Sequence, residues 1–177
     1  MSLKTTIRNA TQSAMKAIGP SADTPEDTDL LDTLKREHEE VKALLVDLED
    51  AEGSAQRKNL VKKIELALVP HTKAEQKVLY EAIIALKDKD AQEDGHEGFI
   101  EHDLAAKTLK KLAAITNAAS PEHKAAGKVL KELVEHHIKE EESNVWSDAK
   151  ANFSEDRRKQ MNARYLSAKA RVSGNLR

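Results

Sequence analysis

Two segments of the chain set an imidazole and a carboxylate four residues apart: His71-Thr-Lys-Ala-Glu75 and His137-Ile-Lys-Glu-Glu141. On a helix, residues i and i+4 lie one above the other, so each pair aims both groups at one spot. Two further histidines, His38 and His102, each follow a glutamate and precede the paired segments by 33 and 35 residues. Tyr80 and Trp146 both stand nine positions after the histidine of their segment. The chain is therefore internally duplicated, and each half offers His, His and Glu. Such groups are costly to bury unless they bind one another or a cation. Two halves facing each other supply four imidazoles and two carboxylates. With Glu75 and Glu141 bridging, each of two metals receives two nitrogens and two oxygens. Six-coordinate iron then keeps positions for small molecules, and manganese or zinc suits the same donors.

The elements that must position these groups follow from the apolar spacing. Residues 19–29 hold two prolines and no large apolar side chain, which predicts a linker feeding an acidic first helical turn. Leu31, Leu34, His38, Val41, Leu45 and Leu48 then recur at steps of three and four, an amphipathic helix with a histidine in its seam. A second helix is expected from Ala55 to Leu86, with Pro70 removing one backbone hydrogen bond inside it. Charged residues 87–98, ending in Gly95 and Gly98, read as a loop before a third helix from Phe99 to Thr116. Ser120-Pro121 is an N-cap followed by proline at the first helical position, and opens a fourth helix to about Lys150. The pattern predicts an all-α fold. We expect an up-down-up-down four-helix bundle over 29–150, a helical segment and linker over 1–28, and a basic amphipathic helix over 151–177.

Composition narrows the chemistry further. Cysteine is absent, which removes disulfides, Fe–S clusters and thiolate zinc sites. Aromatic residues are 3% of the chain, too few for a base-stacking surface. The two ends are basic, and residues 21–150 sum to −10, so a nucleic-acid backbone is not an expected partner. No apolar run is long enough to cross a membrane or to act as a secretory signal, which predicts a cytoplasmic protein. Phosphate-loop, nucleophile-elbow and His-Glu-x-x-His patterns are missing. The Glu-x-x-His spacing of ferritin-like iron storage is not the spacing here.

The duplicated Glu-His and His-x-x-x-Glu pattern over about residues 29–150 resembles the haemerythrin-like, HHE cation-binding domain. The resemblance implies a non-haem di-iron centre with ligands His38, His71, Glu75, His102, His137 and Glu141. It implies a protein that binds or reacts with dioxygen, nitric oxide or peroxide, in sensing or stress protection. A catalase-like enzyme and a metal-free helical interaction module are the alternatives. The oxygen-carrying haemerythrins add a histidine four residues from the third-helix ligand. Here those positions are Gly98 and Ala106, and only His96 lies nearby. Without that fifth imidazole both irons are expected to be open, which favours peroxide or redox chemistry over reversible carriage.

Several neighbours carry expectations of their own. His136 and Glu140 form a competing pair one residue out of register, and the alignment of Trp146 with Tyr80 favours His137 and Glu141. Glu37 and Glu101 either brace a ligand or face solvent. His96 and His123 are expected to be exposed near loop or helix ends. At about 100° per residue, Tyr80 and Trp146 fall opposite the ligand histidines and read as packing anchors. Without metal, the four inward histidines are expected to gain charge together near their unperturbed pKa of about 6.5.

Overall fold

The computed structural model describes residues 27–176, and every regular element among them is helical. The N-terminal segment expected over residues 1–28 lies almost wholly outside the described residues. Helix α1 spans Leu30–Asp50, with the Asp29 side chain accepting from the Leu31 backbone N–H at 3.0 Å as its N-cap. Helix α2 (Ser54–Glu75) passes through a π-helical turn, Gln76–Tyr80, into the short α3, Glu81–Ile84. Helix α5 (Pro121–Glu140) starts on the expected Ser120 cap and passes through a second π turn, Glu141–Val145, into α6, Trp146–Asn152. Helix α7, Glu155–Gly174, packs against α1 and α2.

One expected loop is a helix. Helix α4 runs Lys89–Ala114, so it begins ten residues before the expected Phe99 and contains both Gly95 and Gly98. Asp88 caps it, accepting from the Asp90 and Ala91 backbones at 2.9 and 3.3 Å. Glycine costs a helix about 1 kcal/mol against alanine. Here a Cβ on Gly98 would stand 2.5 Å from Tyr80 Cζ, and one on Gly95 would stand 2.7 Å from Ile84 Cγ1. Close packing of α4 on the α2–α3 arm, not a turn, explains both residues.

Helices α1, α2, α4 and α5 close a ring, with α1 on α2 and α5, and α4 on α2 and α5. Inside the ring are two apolar cores. One is built around Val41, Leu45, Ile64, Leu109, Leu112 and Leu130. The other holds Leu30, Leu34, Leu79, Ile83, Trp146 and Tyr165. The inward histidine of α1, α2 and α4 falls between residues of the two cores. His137 lies where α5 leaves the first core and its continuation, the second π turn and α6, enters the other, so the polar cluster is a slab with apolar packing on both sides. No described helix is long and apolar enough to cross a membrane.

Candidate metal centre

All six expected ligands come together in that slab, and all are buried. Glu75 is fully enclosed, and His137, the most accessible of them, is 7% exposed. Two groups have ligand atoms within 4.8 Å of one another: His38, His71 and Glu75, and Glu75, His102 and His137. Glu75 is common to both. Its Oε2 lies 3.4 Å from His71 Nε2 on its own helix and 3.4 Å from His102 Nε2 on α4. Glu141 Oε2 repeats the arrangement, 3.3 Å from His137 Nε2 and 3.6 Å from His38 Nε2 on α1. Each carboxylate therefore links its own half to the other.

Both Glu75 oxygens, Glu141 Oε2, His38 Nε2, His102 Nδ1 and the Tyr80 hydroxyl are buried with no hydrogen-bond partner. Unpartnered buried polar atoms are rare and expensive. Among them Glu75 Oε2, Glu141 Oε2 and His38 Nε2 face other ligand atoms across the cluster, which is the arrangement that fits cations between four imidazoles and two carboxylates.

Three of the four outer imidazole nitrogens are braced, as ligating histidines need. His71 Nδ1 meets Glu37 Oε2 at 3.0 Å, and His137 Nδ1 meets Glu101 Oε2 at 2.8 Å. The glutamate before each first histidine thus holds the second histidine of its half, so both face the site rather than solvent. Two braces had no signal in the sequence. Glu142 Oε1 holds His38 Nδ1 at 2.9 Å, and Glu37 also accepts from Tyr165 of α7 at 2.5 Å and from Lys169 at 2.6 Å.

His136 is the outward member of its pair. Its side chain is 61% exposed and lies 3.5 Å from the outer oxygen of Glu101. His96 is exposed, on α4 rather than in a loop, and joins neither ligand group. The expectation for His123 fails, because this residue is 3% exposed. Its backbone N–H donates to the Ser120 cap, and the residue lines a cavity with Arg57 and joins neither metal-ligand group.

Tyr80 and Trp146 are core residues, but they face the site. Five α-helical residues after its glutamate, each would sit about 140° away. The extra residue of a π turn takes back about 100°, leaving about 40°. Trp146 Nε1 donates to Glu141 Oε1 at 3.0 Å and its ring stacks on His38 at 5.9 Å. The Tyr80 ring meets His102 edge-on at 5.4 Å.

The charges differ from the expected common titration. Burial alone would lower His71, but Glu75 and Glu37 hold its pKa up at about 10. Burial likewise opposes protonated His137, yet Glu101 and Glu141 raise it to about 9. Burial lowers His102 despite Glu75, with His137 adding to the effect, so the His102 Nε2···His137 Nε2 contact of 2.9 Å joins a neutral acceptor to a charged donor. Burial would raise Glu37, but hydrogen bonds from His71, Lys169 and Tyr165 bring it to about 2. In the metal-free cluster, protons hold the places that cations would take.

A cavity of about 10 Å³ touches all four ligand imidazoles and is otherwise walled by Val41, Leu68, Ala105, Val134, Ile138 and the Thr72 side chain. That is close to the lower limit for one water-sized molecule.

The chain is 24% identical over 151 residues to the DNA nickase of Nostoc sp.. The match takes in 85% of this chain but 42% of that protein, so the chain spans less than half of its relative's length. No solved structure matches the chain. The Hemerythrin HHE cation binding domain matches residues 29–146, the stretch that carries all six candidate ligands, and the chain belongs to that family.

Proposed function

We propose that this is a cytoplasmic non-haem di-iron protein, built as an up-down-up-down four-helix bundle, that binds or reacts with dioxygen, nitric oxide or peroxide in sensing or stress protection. One observation carries the reading: two buried ligand groups share Glu75, while both Glu75 oxygens and His38 Nε2 lack hydrogen-bond partners. His38, His71 and Glu75 would hold one iron, and His102, His137 and Glu75 the other. Glu141, within reach of His38 and His137, would be the second bridge. The order of the two apolar cores reverses from α1 to α2, again at α4, and again along α5 and its continuation α6, which supports the alternating bundle.

Bound there, iron supplies an open coordination position and one or two electrons for a small ligand. The chain's own residues define the rest. The mostly apolar cavity against the four imidazoles excludes bulk water and leaves room for about one water-sized neutral molecule. Glu37, Glu101 and Glu142 fix three imidazoles by their outer nitrogens and raise their basicity as ligands. If the curated relative's name points to DNA chemistry, this chain would contribute a metal module rather than a phosphate-binding face, because residues 21–150 sum to −10.

Elemental analysis of protein grown with iron tests the proposal and should find close to two irons per chain. One tightly held zinc, or no metal, would sink it. The iron-loaded protein should change its visible spectrum on adding nitric oxide or azide. Oxygen evolution from peroxide, lost in His102→Ala, would assign the catalase-like form of the activity.

A further inference from the structure

Tyr80 is the one aromatic residue of the site whose polar group forms no well-aligned hydrogen bond, although Glu141 lies near its hydroxyl. The residue is 0% exposed, and its hydroxyl has no hydrogen-bond partner. Its counterpart Trp146 donates its N–H to Glu141, whereas neither oxygen of Glu75 receives a bond from Tyr80. The phenol occupies space that α4 leaves open only because residue 98 is glycine, since a Cβ there would lie 2.8 Å from the hydroxyl oxygen and 2.5 Å from Cζ. Its ring borders His102 at 5.4 Å and His137 at 6.4 Å. Tyr80, Gly98, His137 and Glu141 also line one narrow cleft toward the surface between α4 and the second π turn. The π turn after Glu75 brings the phenol to this spot, and Gly98 admits it.

We propose that the Tyr80 hydroxyl is a further oxygen ligand to the metal held by His102 and His137. This rests on the metal-site reading above. A phenol is a hard oxygen donor that suits ferric iron. On binding, the O–H proton passes to water and an Fe–O bond forms, with no change of oxidation state. The two imidazole donors of the other metal, His38 and His71, have Trp146 and Tyr165 as their aromatic neighbours. Tyr165 already binds Glu37 and His71 Nδ1, so the phenol ligand distinguishes the two metals.

The test is the visible spectrum of the full chain loaded with iron and oxidised to the ferric state, with iron counted on the same sample. A phenolate-to-iron charge-transfer band is expected, and resonance Raman excitation in it should show tyrosine ring modes that shift with ring-deuterated tyrosine. The sequence has only two tyrosines, so two variants assign the band. Tyr80→Phe should keep two irons and lose the band completely, while Tyr165→Phe should keep it. If Tyr80→Phe does not fold, disappearance of the tyrosine modes in Tyr165→Phe would overturn the proposal and their persistence would support it. Two irons without tyrosine modes in the unaltered protein would overturn the Tyr80 assignment and leave the metal site standing. No iron bound would overturn both.

Discussion

The hydroxyl of Tyr165 donates to Glu37 at 2.5 Å across 128 residues of sequence, and Glu37 in turn holds His71 Nδ1 at 3.0 Å. The C-terminal helix thereby reaches a metal ligand through a single carboxylate. Lys169, one helical turn further along α7, neutralises the same oxygen at 2.6 Å. Removing such an outer partner usually costs 10- to 100-fold in metal affinity. Tyr165→Phe is expected to lose about tenfold, because Lys169 and His71 still bind Glu37. Competition against a chelator of known affinity measures this, and unchanged affinity would mean that α7 only packs on the bundle.

Metal binding should release protons. His71 and His137 are charged in the metal-free cluster up to pH values of about 10 and 9, and both must be neutral to ligate. Near pH 7.5, loading two metals should liberate about two protons, visible with an indicator dye in weak buffer. Affinity should rise with pH and level off above about 10. The metal-free protein behaves in the opposite way. Raised histidine pKa values contribute stability that is fully present below the unfolded value of about 6.5 and is lost through 9 to 10. Its melting temperature should therefore fall between pH 7 and pH 10.

Neighbouring histidines should separate cleanly. His137→Ala removes an inward ligand, so it should lose metal together with the part of the stability that a chelator removes. With metal at 100 times its dissociation constant, that part is about 2.7 kcal/mol. His136→Ala should change neither quantity, because its ring is mostly exposed. His123→Ala should lower stability but leave metal content unchanged, since its buried ring lies outside the ligand groups. Metal loss in His136→Ala with retention in His137→Ala would move the ligand register by one residue.

Gly98→Ala sets two effects against each other. Helix propensity favours alanine by about 0.5–1 kcal/mol, whereas overpacking a tight contact costs about 1–3 kcal/mol. A Cβ 2.5 Å from Tyr80 Cζ lies well inside contact distance, and the fully buried ring has no free direction of retreat. Overpacking wins. The melting temperature should drop by several degrees, and a rise would mean that Tyr80 moves aside without cost.

The all-α class and the six inward His and Glu side chains were legible in the sequence, because they depend on helical periodicity and a duplicated spacing. Leu31, Leu34, His38, Val41 and Leu45 fall on one face of α1 whatever the rest of the chain does. The same local geometry places His71 over Glu75 and His137 over Glu141. What periodicity could not supply was every feature set by a neighbour. Gly95 and Gly98 resemble a loop until Tyr80 and Ile84 occupy the space where their side chains would be. Tyr80 and Trp146 point away from the site on an unbroken α-helix, and only a one-residue π insertion turns them toward it. Glu37 serves His71 on the next helix rather than its neighbour His38, because a carboxylate finds its partner through space. Glu75 and Glu37 keep His71 charged against its burial, whereas at His102 burial prevails. Sequence spacing determined which residues share a face; tertiary packing decided which of them share a proton, since burial and charge depend on every helix that closes over the group.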